Sequence, residues 1–286
     1  FFNEDLDKKY YENEVYPYDP FVINPIRDIL YHNGFLYIVI LSKEIRTYFA
    51  SPMAYIVAAA YLAITGFFFV ASVSDAFSEA TIRGYLAGAT FFMIFMSPAI
   101  TMRLIAEEQK LGTLELLLTS PIKEAEVVIG KFLASLVTVS VMIFFSLYFV
   151  ILLYVFGDPD SGPLFNGIFG LVLYSSATLA IGLFASALSP NQIVGLIVGS
   201  GILTSLTIID FISTRVSGIG SEILSFLQLG ASFSVFDLGS LGVSESGHFA
   251  DFSRGIFSLI DVVFYLSVTI VFLLLTIIIL ESRRWR

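Results

Sequence analysis

Six apolar stretches of about 20 residues each, separated by short charged connections, constrain this chain more than any other feature. A helix needs about 20 apolar residues to cross the hydrocarbon core of a bilayer. The stretches fall at roughly 52–73 (PMAYIVAAAYLAITGFFFVASV), 84–102, 132–156, 164–188, 191–209 and 258–280. Of 286 residues, 57% are hydrophobic and 14% charged, and the mean hydropathy is +0.87. A soluble domain of that size needs a more polar surface, so the expected class is an all-α polytopic membrane protein. A net charge of −9 argues against nucleic acid as a partner. Without cysteine there is no disulfide framework and no thiolate metal site. His32 and His248 lie far apart in the chain, which leaves little for a metal.

Basic residues set the expected direction of insertion. With both termini inside, the inner segments hold Lys8, Lys9, Arg27, Lys43, Arg46, Arg103, Lys110, Lys123, Lys131, Arg283, Arg284 and Arg286. Only Arg83, Arg215 and Arg254 fall outside. Lysine and arginine are retained on the cytoplasmic side, so six spans with cytoplasmic ends follow. Ser-Pro pairs at 51–52, 120–121 and 189–190 each precede an apolar run. Serine caps free N–H groups and proline suits the first helical position, so these pairs are expected to open helices. Ser97-Pro98 lies inside the second span, where proline is expected to kink it.

Residues 35–50, FLYIVILSKEIRTYFA, hold an apolar run too short to span, followed at once by Lys43, Glu44 and Arg46. They read as an amphipathic helix lying along the inner interface. Residues 1–34, with Pro17, Pro20 and Pro25, read as a cytoplasmic extension with little regular structure. The first 20 residues are acidic and tyrosine-rich and carry no signal-peptide pattern. Phe1 is not a methionine, so preceding residues are expected in the natural chain.

Between the second and third spans lies a segment, 103–127, that contains EEQKLGTLELLLTSP. Arg103 and Glu107 are four apart, on one side of a helix that can continue from the second span. Gly112 is a natural helix stop and Thr113 can cap a new short helix. On that helix Leu111, Leu114, Leu117 and Leu118 are expected to share a face, with Glu115 and Thr119 pointing elsewhere. Two readings stay open on these residues alone. The leucines lie on the membrane surface, or they dock into a groove on a cytoplasmic partner and pass motion to both spans.

The stretch RLIAEEQKLGTLELLLTSPIKEAEVVIGKFLAS resembles the signature of ABC-2 type transporter permeases, in which E-E-x-x-x-G-T-L-E-L-L-L-T-x-P follows the second span. The C-terminal HFADFSRGIFSLIDVVFYLSVTIVFLLLTIIILESRRW is similar to the same family, in particular its gliding-motility-associated branch. The resemblance covers roughly residues 36–286 and respects the six-span topology, which places the fold among type V exporter-like bundles. It implies a coupling helix seated in an ATP-hydrolysing subunit, carried by Glu107, Glu108, Gly112, Thr113, Leu114, Glu115, Leu116, Leu117, Leu118, Thr119 and Pro121. It further implies two ABC ATPase subunits, a second permease of the same or a related chain, and room for an accessory membrane or extracytoplasmic protein. The location it implies is a prokaryotic cytoplasmic membrane.

No G-x-x-x-x-G-K-[ST] phosphate loop is present; Gly130-Lys131, the one Gly-Lys pair, is followed by phenylalanine. ATP and Mg are therefore expected in the partner ATPase, with no cofactor in this chain. No Ser/His/Asp constellation points to an intramembrane enzyme. Within the limits above, five spans contain no ionisable residue, which disfavours an ion-coupled carrier. Asp261 lies about 28 Å before Leu280 at 1.5 Å per residue, near the outer edge, and Asp210 stands at a similar height. Both are expected at the interface, solvated or paired with Arg215 or Arg254; an outer gate built from the four is the alternative. Gly195-x-x-x-Gly199 is expected to pack against a neighbouring span of the same chain, or else to form a permease–permease seam.

Residues 210–257 form a glycine- and serine-rich external segment in which EILSFLQL suits a short helix. ABC-2 permeases carry small external helices in the corresponding region, roofing the pathway. An export permease is the expected function. A membrane scaffold with the same fold, driven by ATP for a mechanical or regulatory task, is the rival. Phenylalanine-rich spans suit a lipid-like cargo, though such residues also face lipid.

Overall fold

A computed structural model describes residues 36–74, 81–114, 123–157, 159–213, 224, 226–230 and 247–284. Ten helices are bounded within them, and no strand occurs among these residues. An amphipathic α1 (Leu36–Ala50) leads into α2 (Pro52–Val73), and α3 (Arg83–Thr101) is followed by the five-residue α4 (Ala106–Lys110). The third span divides into α5 (Glu124–Ser146) and α6 (Tyr148–Phe156). Then come α7 (Ser161–Leu188), α8 (Gln192–Ser213), the short α9 (His248–Ser253) and α10 (Leu259–Arg284). Six helical segments are long and apolar enough to cross a membrane, in agreement with the six expected spans.

The helix starts follow local chemistry, with one departure from expectation. Ser51 accepts a hydrogen bond from Met53 N at 3.4 Å and Pro52 takes the first position of α2, as expected. Before α8 the cap is Asn191, whose Oδ1 accepts from Val194 N at 3.0 Å. Ser189 instead turns back and donates to Ala185 O at 2.7 Å, closing α7. A serine hydroxyl bonds whichever free backbone group it reaches first, and here that is the last turn of the preceding helix. Pro121 lies outside the described residues, and α5 begins at Glu124, with Glu126 Oε2 accepting from Lys123 N at 3.4 Å.

Pro98 falls in the last turn of α3, and the helix runs through it to Thr101. The interruption comes after it, at residues 102–105. The third span breaks at Leu147, whose N–H bonds Phe144 O three residues back, a tight turn between α5 and α6.

Two helices are inside and the rest form a sleeve around them. The apolar windows of α3, taken through α4, and of α7 are each 72% buried, against 17% for α2 and 22% for α8 and α10. Without a hydrophobic drive between helices in lipid, close contact comes from small residues and hydroxyl groups. Accordingly α7 presents Gly167, Gly170, Ala177, Gly182 and Ala185 to its neighbours. Hydroxyl pairs bridge spans: Ser97 with Thr178 at 2.8 Å, Ser176 with Thr269 at 3.1 Å, and Tyr61 with Tyr85 at 3.0 Å. Gly199 of α8 packs on Pro98 and Ala185 of the same chain, the first of the two contacts foreseen for that motif.

Close packing also joins α2 to α3, through Gly84-x-x-x-Gly88. A Cβ at Gly88 would stand 2.8 Å from Phe68 Cβ, and one at Gly84 would meet Phe68 O at 2.9 Å. Gly201 on α8, by contrast, has nothing within 4 Å of an added Cβ. Gly88→Val is therefore expected to cost about 1–3 kcal/mol of stability through overpacking. Gly201→Ala is expected to be neutral or slightly stabilising, since alanine favours the helix by up to ~1 kcal/mol. Thermal unfolding of both variants in one detergent checks the contrast.

Candidate functional site

At the end of the bundle where α1, α2 and α5 begin and α3 ends, four charged side chains meet. Lys131 stands two turns into α5 with a side chain only 2% exposed. A buried ammonium is tolerable only when paired and hydrogen-bonded. Its Nζ donates to Glu44 Oε1 of α1 at 3.0 Å and to Glu108 Oε1 of α4 at 2.8 Å. Lys43 Nζ stands 3.8 Å from the same two carboxylates, so two cations face two anions. Three separate segments of chain are fastened at one point.

The approach of α1 depends on the residue before that lysine. A Cβ at Gly130 would come within 3.0 Å of Ile40 Cβ and of Tyr37 O, so glycine lets the two helix backbones close up. Farther along α1, Tyr48 donates to Ile100 O at the end of α3 at 2.8 Å. Burial, and then the charge of Glu44, hold this phenol well above its ordinary pKa, so it remains a neutral donor. Arg103 Nη1 donates to Ser51 Oγ at 3.0 Å, and its Nε lies 3.5 Å from Glu107 Oε2, the expected four-residue pair.

The break between α3 and α4 is held from a distant part of the sequence. Ser186 near the end of α7 accepts from Ile105 N at 3.4 Å and Ala106 N at 3.1 Å, and donates to Met102 O at 3.2 Å. Arg283 Nη2 donates to Ala187 O at 2.8 Å, bringing the end of α10 to the same place. The second span was expected to continue as a helix past Arg103. It does not, because one hydroxyl on α7 satisfies the backbone groups that a bend exposes.

The residues expected to contact a motor separate here into different roles. Glu107 is half-buried on Arg103, whereas Glu108 points inward to Lys131, so its charge serves the fold. Gly112 ends the α4 turn with φ +71°, a left-handed conformation that glycine adopts without strain, as expected of a helix stop. Thr113 Oγ1 donates to Glu108 O at 3.3 Å and closes the preceding turn. Leu111 and Leu114 do not share a face. Leu111 is 67% exposed and Leu114 is buried at 4%, because the chain reverses at Gly112 between them. Glu115, Leu116, Leu117, Leu118, Thr119 and Pro121 lie outside the described residues.

At the opposite end, Asp261 is buried, not solvated, and His248 pairs with it, a partner not among those expected. Histidine comes within reach because α9 folds back onto the start of α10, a contact between segments with no sequence signal. Arg254 follows α9 on the exposed surface. Arg215 and the Asp210 side chain are outside the described residues.

Sequence reasoning missed Lys131, Glu44, Ser186 and His248. For Lys131 there was a signal: a lysine seven residues into the third helix, one position before the apolar limit at 132, needs a carboxylate. The span counted as free of charge is continuous with a helix that carries a buried one.

Six helices long and apolar enough to span, a charge-locked helix before the first and a short loop between the second and third make up a polytopic membrane protein. The sequence profile described as ABC-2 family transporter protein matches residues 49–285, and the chain belongs to that family. The ABC-2 permease domain lacks a nucleotide-binding site, and ATP is bound by a partner ATPase. No curated protein matches the chain. Most of α1, up to residue 48, precedes the matched region, although α1 supplies Glu44 to the ion cluster.

Removing one partner from a buried ion cluster leaves the others uncompensated. Lys131→Ala is expected to cost about 3–5 kcal/mol. Combining Lys131→Met with Glu44→Gln and Glu108→Gln is expected to recover most of that loss. Unfolding midpoints of the single and triple variants decide it, and a triple variant no better than the single would sink the assignment.

Proposed function

We propose that this permease draws its power through the segment 103–127, which seats in the ATPase as a coupling element. The observation that carries the reading is a contrast of burial at one loop. Its base is locked to α1 and α5 through Glu108 and Lys131, and to α7 through Ser186. Just beyond that base Leu111 projects outward at 67% exposure, followed at once by the Gly112 turn. A force applied to the tip thus reaches α3, α5 and α1 as one rigid piece, which is what a rigid-body rocking of the spans requires.

The family signature in EEQKLGTLELLLTSP supports Glu107, Thr113, Glu115, Leu117, Leu118 and Pro121 as further ATPase contacts. With twelve basic residues on that side, the loop faces the cytoplasm and both termini lie inside. Two ATPase copies and a second permease complete the assembly. On α8 the outward row Ile193, Ile197, Gly201, Ser205 and Ile208 is shaped for that seam, since small residues let membrane helices approach closely. At the opposite end, an outer gate built from Asp210, Asp261, Arg215 and Arg254 is part of the same reading, with His248 as the partner that Asp261 already has. The C-terminal resemblance supports the gliding-motility-associated branch. ATP-dependent movement of cargo in vesicles separates an exporter from a scaffold of the same fold.

Leu111→Asp, and Leu117→Asp with Leu118→Asp, are expected to reduce ATPase co-purification at least about tenfold, a loss of ~1.4 kcal/mol or more. The six spans should stay inserted, with an unchanged unfolding midpoint for Leu111→Asp. Leu114→Asp should instead destabilise the permease itself, by placing a charge in its core. Unchanged co-purification and unchanged stimulation of hydrolysis would count against the coupling role.

A further inference from the structure

The far end of the bundle contains a histidine whose two ring nitrogens both face acceptors. His248 opens α9, with its ring stacked on Phe264 of α10 at 3.9 Å and set edge-on to Phe226 at 5.6 Å. Between these rings its orientation is restricted. Nδ1 lies 2.5 Å from Asp261 Oδ1, and Nε2 lies 3.1 Å from the Phe226 carbonyl. A carbonyl has no hydrogen to give, and an ionised carboxylate has none either. A neutral imidazole carries a single N–H.

Both contacts can be hydrogen bonds only if the pair holds one proton beyond those of a neutral imidazole and a carboxylate. That proton sits on Nδ1, giving imidazolium against carboxylate, or on Asp261, which then donates to Nδ1. The two descriptions contain the same proton, and it belongs to the pair.

We propose that His248 and Asp261 form a proton-operated clasp, which fastens α9 and residues 226–230 to the sixth span when protonated and lets them go when the proton leaves. The surroundings give the clasp something to hold. Leu229 N donates to Leu206 O of α8 at 3.3 Å, and Tyr265 of α10 donates to Leu229 O at 2.8 Å. Gly247, with φ +96°, runs so close to residue 230 that an added Cβ would stand 2.5 Å from Gly230 O. Phe249 and Phe252 of α9 pack against Tyr174 and Tyr265. The clasp therefore lies where α7, α8 and α10 meet the cap.

Once the proton is lost, the one N–H that remains serves Asp261 or the Phe226 carbonyl but not both, and the other ring nitrogen turns a lone pair toward an acceptor. Asp261 Oδ2 is already buried without a hydrogen-bond partner among the described residues. Among the described residues, the ionisable groups near His248 on the elements around it are Asp251 in the first turn of α9, Arg254 just after that helix, Tyr265 on α10 and Tyr174 on α7, and α8 carries Asp210. Residues 226–230 bring none. Because the closed form binds the proton and the open form does not, lowering the pH favours closure and raising it favours release. With the orientation proposed above, the clasp reads the pH outside the membrane.

Hydrogen–deuterium exchange of the α9 amides tests this in the full chain, in nanodiscs, where both faces meet the same buffer and the result does not depend on orientation. Between about pH 5 and about pH 9, the range that brackets histidine chemistry, wild-type protection should fall about tenfold or more after correction for intrinsic rates. One hydrogen bond to a charged group is worth at least that factor. Asp261→Asn supplies an N–H to Nδ1 while Nε2–H still reaches Phe226, so its protection should be high and independent of pH. His248→Ala should be poorly protected throughout, with α7 amides unchanged as the control for folding. Wild-type protection that does not vary with pH, or an Asp261→Asn profile that falls like the wild type, would overturn the clasp.

Discussion

An ammonium group cannot be left alone in apolar surroundings, and the inner architecture of this protein follows from how Lys131 meets that requirement. Its side chain is almost wholly buried, and the two carboxylates that balance it come from different parts of the chain. Glu44 fixes where the interfacial helix lies, and Glu108 fixes which way the loop after the second span turns. Gly130 permits the close approach that makes the first of these contacts short. The residue pair that fails as a phosphate loop is thus the docking point for α1.

The same logic, with hydroxyl groups in place of charges, organises the rest of the bundle. Apolar side chains gain nothing from each other that lipid does not also offer, so helices are selected for how closely they approach and which polar groups they share. The buried helices α3 and α7 contain the small residues and most of the cross-span hydroxyl pairs, while α2, α8 and α10 show large apolar side chains outward. Ser186 illustrates the economy of this scheme, since one hydroxyl serves three backbone groups at the bend between α3 and α4. The two ends of the molecule are finished differently. Charge pairs brace the end that carries the loop after the second span, and a histidine, a carboxylate and stacked rings close the other.

Much of this was legible beforehand, and particular residues show why. Span positions were readable because length and apolarity are local properties, and the start of α2 at Pro52 follows from a cap and a proline side by side. The stop at Gly112 was readable because only glycine adopts that backbone without strain. The illegible features depended on which of several available neighbours a group would meet. The expected leucine face across Leu111 and Leu114 failed because a turn separates them. Ser189 was misread as a cap because a serine can serve either the helix behind it or the one ahead. The pairing of Asp261 with His248 was not foreseen, because the two meet only once α9 has folded onto α10.

By itself, then, the sequence determined the class of molecule, the number of membrane crossings and the family signature of the loop, since hydropathy and backbone punctuation act over a few residues at a time. Tertiary structure alone decided which charges are buried, which glutamate faces the fold, and what holds the cap. Those outcomes depend on pairwise distances between segments as far apart as residues 44 and 131 or 248 and 261. A charge is stable in a membrane protein only against a specific neighbour, and which neighbour that is emerges only once the helices have packed.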